Sequence, residues 1–144
     1  MANPSTSVKV SLKTIIHDPN EREQIDVVAN GRLSKKDDTY VLQFNETTED
    51  GNSVRNMVTI SKNKISIKRS GYVKMNQIFR EQIMTESTYY HPFGMMRMET
   101  TTESMDVHVS EDGKKGNIHI SYLLSLNEQE PQKHEMALTF ERKE

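Results

Sequence analysis

Apolar residues in this chain recur at every second position, and turn residues interrupt the pattern at intervals of about ten residues. Val8, Val10, Leu12 and Ile16 share one parity up to Asp18-Pro19-Asn20. Ile25, Val27, Ala29 and Leu33 follow. Tyr40, Leu42 and Phe44 then run up to Glu49-Asp50-Gly51-Asn52, whose Asp-Gly pair is a strong hairpin signal. The same alternation continues through Val58 and Ile60, Ile65 and Ile67, Val73 to Phe79, Met96 and Met98, and Val107 and Val109. It ends in Ile118 to Leu126 and Met136 to Phe140.

A side chain two residues along a strand returns to the same face, so each of these runs predicts a strand with one apolar and one polar face. No stretch carries a helix-length pattern. Composition agrees: Ala and Leu together number ten, whereas Val, Ile and Thr number 32, which disfavours a helical bundle. The predicted fold is all-β, a single antiparallel meander of about 8–10 strands, with short connections that suit a barrel better than a sandwich. Residues 1–7 read as a flexible N-terminal tail, and residues 8–144 as the barrel domain.

The chain has no cysteine, which excludes disulfide scaffolds, thiolate metal sites and a cysteine nucleophile. Its longest stretch free of charged residues is Gly116 to Asn127, twelve residues, short of the ~20 that a membrane-spanning helix needs. Residues 1–7 lack the apolar core of a signal peptide. A cytoplasmic protein that does not enter a membrane is expected. G-x-S-x-G, H-E-x-x-H, P-loop and G-x-G-x-x-G motifs are all missing, so no catalytic residue and no cofactor is indicated.

A net charge of −2 hides a segregation: residues 51–80 carry seven basic side chains and no acidic one. Within that block Lys62, Lys64, Lys68, Lys74 and Arg80 fall on the outward parity. They form either a solvated face neutralised by Glu86, Glu103 and Asp106, or a surface for a polyanion. Tyr72 is the only aromatic of that parity among them, so base stacking is poorly supported and nucleic-acid binding is disfavoured.

Parity also points inward. Arg69 shares the face of Ile65 and Ile67, Glu46 that of Tyr40, Leu42 and Phe44, and Asn56 that of Val58 and Ile60. An interior guanidinium needs a partner. Arg69 therefore either anchors the anionic group of a ligand or pairs with Glu46. Met75, Met84, Met95, Met96, Met98 and Met105 would fill the core or line a pliable cavity wall. His108 and His119 flank the turn at 111–116; a register joining Ser110 to Asn117 would set them side by side, with Asp106 near, as a weak candidate for a divalent metal. His17, His91 and His134 are isolated in the sequence.

The run Arg69-Ser70-Gly71-Tyr72-Val73-Lys74-Met75-Asn76-Gln77-Ile78-Phe79, followed by Tyr89-Tyr90-His91-Pro92-Phe93-Gly94, resembles the YwiB-like family of small bacterial proteins of unassigned function. The likeness extends from about Val8 to Phe140. Arg69, Gly71, Pro92 and Gly94 match recurrent positions of that family, while His91 stands where a threonine is expected. The resemblance implies a calycin-type, lipocalin-like barrel. The chain has no tryptophan, so the Gly-x-Trp signature of true lipocalins is absent, and no helical pair could serve as a lid.

Two functions follow as expectations. The first is non-catalytic binding of a small amphipathic or anionic ligand inside the barrel. Arg69 would be its polar anchor, and Glu46, Tyr40, Tyr122, Met75 and Phe79 would line the cavity. The second is an interaction module whose outer basic strands meet an acidic protein or RNA. An interior of several hundred Å³ would favour the first.

Overall fold

The computed structural model describes residues 5–143. Ten strands account for nearly all of them: β1 (Ser5–His17), β2 (Arg22–Lys36), β3 (Thr39–Thr47), β4 (Ser53–Ile60), β5 (Ile65–Gly71), β6 (Met75–Phe79), β7 (Met84–His91), β8 (Gly94–Val109), β9 (Lys115–Leu126) and β10 (Gln132–Arg142). All ladders are antiparallel, and the order β6-β5-β4-β3-β2-β1-β10-β9-β8-β7 is a meander whose first and last strands pair. The barrel is nearly closed. None of the described residues forms a helix.

The seam lies between β6 and β7. There the ladder shrinks to one bridge, Lys74 with Tyr90, whose backbone bonds are 3.0 and 2.8 Å. Side chains complete the join: Thr85 Oγ1 donates to the Ile78 carbonyl at 2.6 Å, and buried Gln77 Nε2 donates to Thr100 Oγ1 at 3.0 Å. By contrast, β1 and β10 pair continuously from Val8–Arg142 to His17–Lys133.

The tail expected over residues 1–7 is corrected in part. Residues 1–4 lie outside the described residues, but Ser5, Thr6 and Ser7 continue β1 in register with Ser34, Leu33 and Arg32. Polar composition does not prevent ladder bonding, which uses the backbone. β8 also changes phase midway. A bulge between Thr102 and Ser104 inserts Glu103, so the inward set passes from Met98, Thr100 and Thr102 to Met105, Val107 and Val109. The turn before β7 satisfies the disturbed backbone: Gln82 N donates to Thr102 O, Gln82 Nε2 to Glu103 O, and Glu81 accepts from Met105 N.

One end of the barrel is filled. Phe79, Phe140, Leu42, Ile65 and Val8 are essentially inaccessible there. The Phe140 ring lies over Gly116, where an added Cβ would stand 2.2 Å from two ring carbons. Glycine makes the room that the ring occupies.

Candidate functional site

Because the strands alternate direction, the turns after β1, β3, β5, β7 and β9 gather at the other end. A cavity of about 500 Å³ lies inside the barrel at this end, and each of the ten strands contributes to its lining. Its walls are mainly aliphatic, with Leu12 and Ile16 from β1, Ile67 from β5, Leu124 and Leu126 from β9, and Met136 from β10. Met75, Met96 and Met98 contribute thioethers to the same surface. Ile25 is 45% exposed and marks the mouth.

The polar part of one wall is built across three adjacent strands. Arg69 Nη2 donates to Glu46 Oε1 at 2.5 Å, and Asn56 Nδ2 donates to the same oxygen at 3.0 Å. Register produces this cluster: Asn56 lies opposite Arg69 across β4–β5 and opposite Phe44 across β3–β4, with Glu46 two residues beyond Phe44. Gly71 terminates β5 with φ +106°, and a Cβ there would meet the Ser53 carbonyl at 2.8 Å, so a glycine suits the turn that leaves Arg69 near the mouth. The ion pair is partly shielded, with side-chain exposures of 26% for Arg69 and 18% for Glu46. Arg69 therefore has its carboxylate partner and still lines the cavity.

On the opposite side, β10 and β9 present His134 and Tyr122, with ring centroids 5.2 Å apart. His134 is 7% exposed and its Nε2 has no hydrogen-bond partner. Burial lowers its pKa to about 4, with a smaller repulsion from His17, so the ring is neutral at pH 7. Burial also pushes the Tyr122 phenol above its ordinary range, keeping it protonated. His17 itself faces outward and bonds Glu135 at 2.8 Å. At the mouth, His91 of β7 stacks with Tyr89, meets the edge of Tyr72 and touches Phe93.

Four of the six residues expected at a cavity are there: Arg69, Glu46, Tyr122 and Met75. Two are not. Phe79 is fully buried in the filled end, where its ring packs edge-on against Tyr122 at 5.0 Å. Tyr40, near the turn between β2 and β3, packs on the core from that same end with Lys35 Nζ 5.4 Å from its ring centre. Parity gives the face of a strand but not the height along it. His134, Gln77, Tyr89 and His91 line the cavity as well, and the signal for His134 was its shared parity with Met136, Leu138 and Phe140.

The metal candidate is corrected. The β8–β9 register joins Val109 to Gly116, which sets His108 opposite Asn117 and His119 opposite Asp106. The two histidines are thus out of step, and no group of three or more potential ligands occurs among the described residues. The basic face also differs from its expected neutralisation. Glu86 pairs with Arg97 at 2.7 Å instead. Lys62, Lys68, Lys74 and Arg80 are exposed and Lys64 half-buried, and none of the five forms an ion pair among the described residues. Lys74 instead lies 5.9 Å from the centre of the Tyr90 ring.

Residues 10–138 match a family described as a domain of unknown function, DUF1934. The chain is 29% identical over 136 residues to the uncharacterized β-barrel protein YwiB of Bacillus subtilis strain 168, covering 94% of each sequence. The crystal structure of the ywiB protein from Bacillus subtilis superposes with a TM-score of 0.86 at 28% identity, over 97% of this chain and 94% of that one. Both are similar in extent as well as in fold. No helix among the described residues is long and apolar enough to cross a membrane.

Proposed function

This chain belongs to the DUF1934 family, and from that premise we propose that it is a non-catalytic binding protein for a small amphipathic ligand held inside the barrel. The observation that carries this reading is the cavity of about 500 Å³, lined from all ten strands and mainly apolar. Its size falls in the range of small-molecule sites, ~300–1,000 Å³. On this reading the barrel functions as a calycin-type carrier in the cytoplasm, without a cofactor.

The Arg69–Glu46–Asn56 cluster supplies the polar anchor. Because the ion pair is neutral overall, the preferred head both donates and accepts, as a carboxamide or hydroxyl does. It would accept from Arg69 and donate to the carboxylate of Glu46. A carboxylate head would have to compete with Glu46 for the guanidinium, and charged groups are costly to leave uncompensated in such a site.

Calorimetric titration with decanamide, decanol and decanoate tests this. The amide and alcohol should bind saturably and more tightly than decanoate, and Arg69→Met should weaken the amide by ~10-fold. Filling the cavity with Ile67→Trp should abolish binding. If none of the three compounds binds, or if the Trp variant binds them unchanged, the reading fails.

The unpaired basic side chains favour a second reading, a docking face for an acidic protein. Its test is salt: capture by an acidic polypeptide should fall steeply between low and high ionic strength and disappear on reversal of Lys62, Lys64 and Lys68.

A further inference from the structure

We infer that His134 is a second polar contact of the interior cavity, so that the ligand is one with two separated hydrogen-bonding groups, one for each wall of the mouth. This inference rests on the binding reading above. β5 and β10 stand five places apart in the ring of ten strands, so Arg69 and His134 belong to opposite walls. They also lie at the same end: Arg69 is two residues from the end of β5, and His134 is two residues inside the start of β10.

The environment of His134 offers its Nε2 nothing to bond. Ladder pairing sets Ile16 on one side and Tyr122 on the other, with Met136 next on the inward face of its own strand. Tyr122 meets it ring to ring, at an interplanar angle of 33°. Buried polar atoms without partners are few in native structures, and each calls for a reason. Among the described residues only one other buried side-chain atom is unpartnered, Thr102 Oγ1, and it does not line the cavity. His134 does line the cavity; its Nε2 is enclosed, and a turn of the imidazole brings that unpaired nitrogen to the cavity, where a ligand can satisfy it. A neutral imidazole Nε2 donates or accepts according to its tautomer, so a hydroxyl or amide on the ligand suits it in either state.

The test uses amides of increasing chain length, from butanamide to decanamide, each against its ω-hydroxy derivative. An added hydroxyl weakens binding in an apolar pocket that leaves it unpaired, so the sign of the effect is decisive. At the length that spans the mouth, the hydroxy amide should bind ~10-fold tighter than its parent. His134→Phe should turn that gain into a loss, and His134→Gln should keep part of it. Independently of any variant, the His134 ring-nitrogen resonances should shift with the hydroxy amide and stay in place with the parent. The inference is overturned if no hydroxy amide exceeds its parent, or if the gain survives in His134→Phe. Should the parents bind without any hydroxyl gain, only this inference fails; should no amide bind at all, the binding reading falls with it.

Discussion

The two ends of the barrel are built from the same strands with the same alternation, yet one is solid and the other hollow. Along β1, Val8 and Val10 are fully buried while Leu12, Thr14 and Ile16 are only half-buried. β9 repeats the gradient, from buried Gly116, Ile118 and Ile120 to half-buried Leu124 and Leu126. At the filled end Phe79, Phe140 and Phe44 supply bulk, and Gly116 gives way to a ring. At the hollow end the inward positions hold aliphatic chains, thioethers and polar groups, and the rings of Tyr89, Tyr122 and His134 stand in the wall around an open centre. One end holds the fold together by dense packing, and the other gives up contacts that a ligand can restore.

The largest test of that contrast is truncation. Phe140→Ala should cost ~3–5 kcal/mol of stability, whereas Leu12→Ala on the neighbouring strand should cost about 1 kcal/mol, because its side chain faces space rather than atoms. Chemical denaturation of the two variants measures the difference, and equal losses would break the comparison. Gly116→Ala should cost ~1–3 kcal/mol, since its methyl must displace a fully buried ring, and should leave ligand affinity unchanged.

At the hollow end, Glu46→Leu should destabilise by ~1–2 kcal/mol by leaving Arg69 half-buried and unpaired. Adding Arg69→Met should restore most of that loss while removing head-group selectivity. A double-mutant cycle read by both melting and titration separates the two effects.

Acid should act on the same end. His134 holds its proton less tightly in the fold, at about 4, than the ~6.5 of an unfolded imidazole. Its neutral form is therefore preferred by the native state: stability is fully present above about pH 6.5 and declines as pH falls toward 4. Allowing for water in the open mouth, the loss should be about 1–2 kcal/mol. The slope of stability against pH over that window should flatten in His134→Phe. The smallest effect is expected outside the barrel, where reversing Lys62, Lys64 and Lys68 should change stability by less than ~0.5 kcal/mol and leave interior binding intact.

Much of this was legible residue by residue. Alternation gave the strands, the turn residues gave the meander, and parity alone brought Arg69, Glu46 and Asn56 to one interior face. Depth was not legible. Tyr40 and Phe79 have the inward parity of cavity residues but stand at the filled end, because period two is blind to height. His108 and His119 parted for a related reason: the register of β8 against β9 stands two residues from the one that would pair them, and nothing local fixes that register. His134 looked isolated because its site is assembled from strands far away in the chain.

What the sequence determined by itself is the face to which each side chain points, since that follows from the pleat of the backbone and needs no neighbour. Only the tertiary structure decided which inward residues meet. Closing β1 onto β10 and leaving β6 against β7 by one bridge fixes the stagger of the strands. The stagger then puts Phe79 and Phe140 at one end and Arg69 across from His134 at the other. A cavity is a property of that summed arrangement, because empty space belongs to no residue and appears only when ten walls are set in place.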